Sequence, residues 1–83
     1  MGLEMLKLKK RMEFPQGNSY FLSSSYYEDG EFAGMDVMLC KKVGRTVQAV
    51  ALISDRRGNK EEIGALYETV CRNLNELNNI LVK

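Results

Sequence analysis

The sequence predicts an α+β fold: a four-stranded antiparallel β-meander followed by one long C-terminal amphipathic helix, ββββα. Three observations carry this reading. Apolar residues recur at steps of three and four from Ile63 to Leu81, the spacing of one helix face. Alternating, aromatic and β-branched segments fill positions 4–54, separated by short Gly-bearing turns. Finally, 83 residues of which 45% are hydrophobic and 28% charged, with one proline, suit a single domain, 1–83, and fit neither a disordered nor a fibrous chain.

The first strand is expected over about 4–14. Leu6, Leu8, Met12 and Phe14 fall on even positions with Lys7, Lys9, Arg11 and Glu13 between them, and Lys10 interrupts the row. Helix is the competing assignment, because Met, Leu, Lys and Arg are good helix formers. Pro15 ends the segment, since it disfavours a helical Phe14, and Gly17-Asn18 is turn chemistry. The second strand, about 19–28, holds Tyr20, Phe21, Tyr26 and Tyr27. Asp29-Gly30 then reads as a two-residue hairpin loop with φ > 0 at both central positions. The third strand is about 31–42, with a bulge expected at Gly34. Val43-Gly44 is a weaker turn, and the fourth strand, about 45–54, follows from Thr46, Val47, Val50 and Ile53. Asp55-Arg56-Arg57-Gly58 reads as a loop. The helix, about 59–82, opens at Asn59 with Glu62 three residues on, a capping-box pattern, and carries Ile63, Leu66, Tyr67, Val70, Leu74, Leu77 and Leu81. Asn73, Asn75, Asn78 and Asn79 lower its propensity near the end, so that end depends on packing.

With an Asp29-Gly30 loop, Glu28 faces Glu31. Tyr20, Leu22, Ser24 and Tyr26 then share a face with Leu39, Val37, Met35 and Ala33. Phe21, Ser23, Ser25 and Tyr27 share the other with Met38, Asp36, Gly34 and Phe32. One helix covers one face of a sheet, yet both faces carry apolar side chains. A second copy or another partner is therefore expected over the rest, and twofold homodimers are the commonest arrangement.

Several function classes are disfavoured. There is no histidine, the commonest general base near neutral pH and the commonest metal ligand. Cys40 and Cys71 lack CxxC spacing and are too few for a zinc site or a disulfide scaffold, so they read as reduced packing residues. No GxxxxGK[ST] loop is present. We therefore expect no catalytic residues, no metal and no cofactor. No apolar run approaches the roughly 20 residues of a membrane span, and the N-terminus lacks a signal-peptide pattern, so a soluble, cytoplasmic protein is expected.

The formal charge of +1 averages over unlike regions. All the basic residues except Arg72 and Lys83 fall in three clusters: Lys7, Lys9, Lys10 and Arg11; Lys41, Lys42 and Arg45; and Arg56, Arg57 and Lys60. The first two clusters, with Tyr27 and Phe32, are the candidate surface for a protein partner or for single-stranded nucleic acid, which binds basic grooves lined with stacking aromatics. The plain alternative is edge-strand lysines that discourage aggregation and aromatics that fill the core. Arg56, Arg57 and Lys60 stand before a helix N-terminus and could contact an anion, although Asn59 and Glu62 compete for the same N–H groups. Glu28, Asp29 and Glu31 form an acidic hairpin tip suited to a basic partner.

In element order alone, four antiparallel strands and a C-terminal helix resemble the positive-cofactor type of transcriptional coactivator and the Whirly proteins. That resemblance implies helix-mediated oligomers and single-stranded DNA binding across the sheet; no motif of either family is present, so it assigns no residues. The same order occurs in small phage-type proteins that inhibit host machinery. The leading expectation is a non-enzymatic, homodimeric protein that binds and modulates or inhibits a partner protein; the alternative is a single-stranded nucleic-acid binder.

Overall fold

The computed structural model describes residues 6–81, with side chains described through Leu77. Four antiparallel strands, β1 (Lys7–Gly17), β2 (Tyr20–Asp29), β3 (Phe32–Val43) and β4 (Thr46–Asn59), form one sheet in the order β1-β2-β3-β4, and α1 (Lys60–Leu81) follows. The expected strand start at Glu4 and helix end at Val82 lie outside the described residues.

All three connections are two-residue hairpin loops. Asn18 and Ser19 have φ of 52° and 70°, the both-positive pattern that matches strand twist. β1 consequently runs past Pro15 to Gly17, three residues beyond its expected end. Proline is tolerated because β1 is an edge strand and needs no N–H at that position. The second loop is Gly30-Glu31, not Asp29-Gly30: Asp29 pairs with Phe32, and among these residues only Gly30 has positive φ, at 60°. A turn that needs positive φ only at its first position uses glycine at little cost, whereas the expected turn would also strain Asp29. Gly44-Arg45 repeats the pattern, with Gly44 at φ 61°.

The shift moves the β2–β3 register by two residues, pairing Leu22 with Leu39, Ser24 with Val37 and Tyr26 with Met35. Because side chains alternate with period two, both expected face groupings survive. Gly34 is not a bulge. It pairs regularly with Tyr27 and Arg57. Irregularities instead leave Lys9 and Gln16 in β1, and Val50 and Ile53 in β4, without a ladder partner. The Lys9 bulge breaks the expected even-numbered row: Met12 and Phe14 lie on one face, while Leu8, opposite Tyr27, lies on the other.

The segment 55–58, expected as a loop, is strand. Asp55, Arg56, Arg57 and Gly58 pair with Asp36, Met35, Gly34 and Ala33, because β3 presents a full-length partner down to Phe32. β4 then passes directly into α1. The Lys60 N–H donates to the Glu31 carbonyl at 2.8 Å, and the Glu62 N–H donates to Asn59 Oδ1 at 2.8 Å. Asn59 is thus the N-cap.

The helix lies on the face of Leu22, Ser24 and Tyr26. Ile63, Tyr67 and Cys71 are buried against Phe14, Tyr26, Ala33, Met35 and Val37, with Leu66, Val70 and Leu74 packed around them. Ser24 is fully buried: its carbonyl accepts from Tyr67 Oη at 3.1 Å, and its hydroxyl receives the Cys71 thiol at 3.6 Å. Small Ser24 and Ala33 let the helix approach, and the Tyr26 and Tyr67 rings meet at 5.5 Å between centroids. Burial raises the Tyr67 hydroxyl pKa, with the Cys71 thiol adding to it.

Candidate interaction surface

Among the described residues, no helix lies over the opposite face of the sheet. Its central row runs Arg11, Ser25, Asp36, Asp55 across the four strands. Arg11 Nε donates to Ser23 Oγ at 2.9 Å, and its guanidinium meets Glu13 at 3.4 Å. Tyr27 Oη reaches Asp36 Oδ2 at 3.4 Å. Asp36 and Asp55 are directly opposed carboxylates, an unfavourable cross-strand pair. Partial burial pushes the Asp36 pKa up, Asp55 pushes it further, and Tyr27 and Arg11 oppose the shift.

Apolar groups flank this row. On one side stand Leu8, half-covered Tyr27 and Phe32, with Arg57 opposite Gly34; on the other stand Met38, Leu52, Ala49 and Val47. Leu8, Phe32, Leu52 and Val47 are each more than half exposed. Phe21 and Cys40 lie on this face too, yet are buried. Pro15 sits opposite Phe21, and the Lys42 ammonium lies 5.6 Å from its ring centre. Sequence reasoning missed the Asp36–Asp55 row because 55–58 reads as a loop by composition; extending β4 along β3 was the signal that exposes it.

The expected basic surface is divided. Lys7 and Lys10 project on the helix side of β1 and Arg11 on the other, with Lys9 at the bulge between them. Lys10 sits 5.9 Å from the centre of the Tyr26 ring, and Lys41 5.3 Å from that of Tyr20. Lys41 and Lys42 fall on opposite faces, at the far end of the sheet from Lys7, and Arg45 is in the adjoining turn. Of the aromatics, Tyr26 is in the core and Phe21 is covered, which leaves Tyr27 and Phe32 on the helix-free face.

Nor do the three candidate anion contacts converge. Arg56 and Arg57 are neighbours in a strand and point to opposite faces, while Lys60 Nζ lies 3.7 Å from Glu28. The groove at the start of α1, about 370 Å³, is lined by Glu31, Asn59, Lys60 and Glu61, two carboxylates against one ammonium. The acidic tip is likewise split. Glu28 faces the helix side, where it accepts from Tyr26 Oη at 2.8 Å and pairs with Lys60; Asp29 and Glu31 remain at the tip. Burial first and then the Glu28 carboxylate push the Tyr26 pKa up to about 12.

Cys40 and Cys71 are free thiols on opposite sides of the sheet. Among the described residues no cluster of three or more Cys, Asp or Glu could hold a metal ion, and no helix is long and apolar enough to cross a membrane. Fold and surface together define a small α+β domain with one buried sheet face and one mixed apolar and charged face. No family model, curated protein or solved structure matches the chain, so the resemblance in element order gains no further support.

Proposed function

We propose that this chain is a non-enzymatic interaction protein of the cytoplasm, working as a homodimer, that binds a partner protein through the helix-free sheet face and thereby modulates or inhibits it. The observation that carries the reading is the composition of that face: Leu8, Phe32, Leu52 and Val47 exposed around a row of one arginine and two carboxylates. Exposed aromatics beside arginine, here Phe32 and Tyr27 with Arg11 and Arg57, are residues enriched in protein interfaces, and the aliphatic side chains around them supply apolar area to bury. A small domain gains from such a surface only when it is covered.

Single-stranded nucleic acid is the second reading, supported by Tyr27 and Phe32 beside Arg11 and Arg57 on the same face. The division of the other cations between faces weighs against it, because a tracked phosphate backbone needs them in one groove.

One paired experiment tests both. Affinity capture from native lysate with the wild type and with Phe32→Asp/Leu52→Asp should yield a partner that the double variant fails to retain. Equal retention overturns the assignment of the face. Labelled oligonucleotides titrated at about 50 and 200 mM salt should show no binding; affinity falling roughly a thousandfold across that range would instead establish the nucleic-acid reading.

A further inference from the structure

The two sheet edges are unlike. β1 carries Lys7, Lys9, Lys10, Arg11 and Pro15, the residues that keep an edge from pairing. β4 has no such guard from Thr46 to Ser54, where there is no charge, proline or glycine. Val47, Val50, Leu52 and Ile53 are each more than half exposed.

The hydrogen-bond phase of the sheet fixes which backbone groups this edge offers. The Lys42 N–H donates to the Ser19 carbonyl at 2.9 Å, so β3 residues of the helix-free face bond toward β2. Those of the helix side, Val37, Leu39 and Lys41, therefore bond toward β4, where they pair with Ser54, Ala51 and Gln48. The Lys60 N–H bond to the Glu31 carbonyl keeps the same phase at the other end of the ladder. The β4 residues of the helix-free face, Val47, Ala49, Leu52, Asp55 and Arg57, are left with N–H and C=O directed at the open edge. They oppose Lys42, Cys40, Met38, Asp36 and Gly34, which follow one another at regular two-residue steps. The extra residues Val50 and Ile53 are taken up between them, so an ordinary unbulged strand as long as 34–42 meets the outward row in register.

We propose that the partner protein adds a strand to this edge: an extended segment of it pairs with β4, setting apolar side chains against Val47, Ala49 and Leu52 and a cationic one beside Asp55. This rests on the partner reading above and names the segment that makes the contact. In strand addition the main-chain hydrogen bonds supply affinity and the side chains supply selectivity. Two features point to this occupant. The edge is continuous with the helix-free face, because Val47, Ala49 and Leu52 belong to both. Asp36 and Asp55 are opposed, and neither has an ion pair among the described residues, so a cation arriving beside Asp55 answers both carboxylates. A second copy of β4 supplies no such cation. The one twofold register that opposes outward residues throughout pairs Leu52 with Leu52, which sets Asp55 against Ala49 and Arg57 against Val47.

The probe is a displayed library of random peptides about twelve residues long, enough to span the outward row. Selection on the wild type should enrich proline-free, β-branched sequences with one lysine or arginine. A synthetic peptide of the enriched sequence should bind Ala49→Val no more weakly than the wild type. Ala49→Pro removes an N–H that the free chain leaves to solvent, a substitution an edge strand tolerates, and should bind roughly tenfold more weakly. Asp55→Asn should weaken binding roughly threefold. Circular dichroism verifies that each variant folds. Hydrogen exchange on the wild type needs no variant: the Val47, Ala49 and Leu52 amides should exchange freely in the free chain and become protected when the peptide binds. A selection that enriches nothing, a peptide that binds Ala49→Pro as tightly as the wild type, or amides that exchange as before overturns strand addition, while the helix-free face keeps its own capture experiment. Amides already protected in the free chain, with a dimer by sedimentation equilibrium that Ala49→Pro dissociates, would give the edge to a second copy and overturn the proposal.

Discussion

Asp36 is the titrating residue whose position works against folding. Its folded pKa lies above the ordinary 3.8, first because burial disfavours the carboxylate and then because Asp55 faces it. The folded state therefore holds this proton more tightly than the unfolded chain, and stability falls as pH rises from about 3.8 upward. Asp36→Asn should raise stability at pH 7 by about 0.5 kcal/mol, a figure kept small for solvent screening. The gain should vanish below the carboxylate range, and urea melts at pH 7 and pH 3 check it. A gain that persists at pH 3 would show that charge is not its cause. Tyr26 acts at the other end of the scale. Its pKa is raised from 10.0 to about 12, so the stability of its buried neutral hydroxyl is complete below pH 10 and drains away as pH climbs through 12. Thermal melts between pH 9 and 12 should fall more gently for Tyr26→Phe than for the wild type; parallel curves would remove Tyr26 from the account.

At the scale of elements, the junction of β4 and α1 has no linker to absorb error. Asn59 ends a strand, pairing with Phe32, and caps a helix through the Glu62 N–H. Asn59→Ala should cost about 1 kcal/mol by thermal melting, the usual cost of a lost N-cap; a change below about 0.3 kcal/mol would mean that packing alone sets the helix start. The helix itself was plain in the sequence because its three- and four-residue apolar spacing extends over many turns. The cap was plain because Asn59 and Glu62 form a local signal. Strand ends were less legible. Pro15 and the polar run Asp55-Arg56-Arg57 look like terminators locally, but a neighbouring strand supplies the hydrogen bonds that keep each segment extended. The bulges were illegible for a related reason: nothing in the residue types of Lys9, Val50 or Ile53 distinguishes them from regularly paired neighbours.

For the whole molecule, the division of side chains between two faces was readable in β2 and β3 despite a misplaced turn, because an even shift of register leaves each of their side chains on its side, whereas the bulges of β1 and β4 overturn the simple alternation there. The candidate surface was not. Its basic members stand close in sequence, but adjacent residues of a strand diverge, so Lys41 from Lys42 and Arg56 from Arg57 are separated by the sheet itself. The three two-residue hairpins also bear on how the chain acquires its shape. Each ladder can zip outward from its own turn, closing only short loops, so the sheet assembles at little entropic cost per step. The longest closures are those that dock the helix, such as Tyr67 on the Ser24 carbonyl, 43 residues away. From their long loop closure we expect contacts of that kind to form late, after the rate-limiting barrier. In stopped-flow experiments at dilution, Tyr67→Phe should therefore speed unfolding about fivefold, for a hydrogen bond worth about 1 kcal/mol, and leave the refolding rate nearly unchanged. Refolding slowed by the same factor would place helix docking within the nucleus. On the expected outcome, the residue that locks the helix to the sheet governs how long the native state lasts, while the turns govern how quickly it is reached.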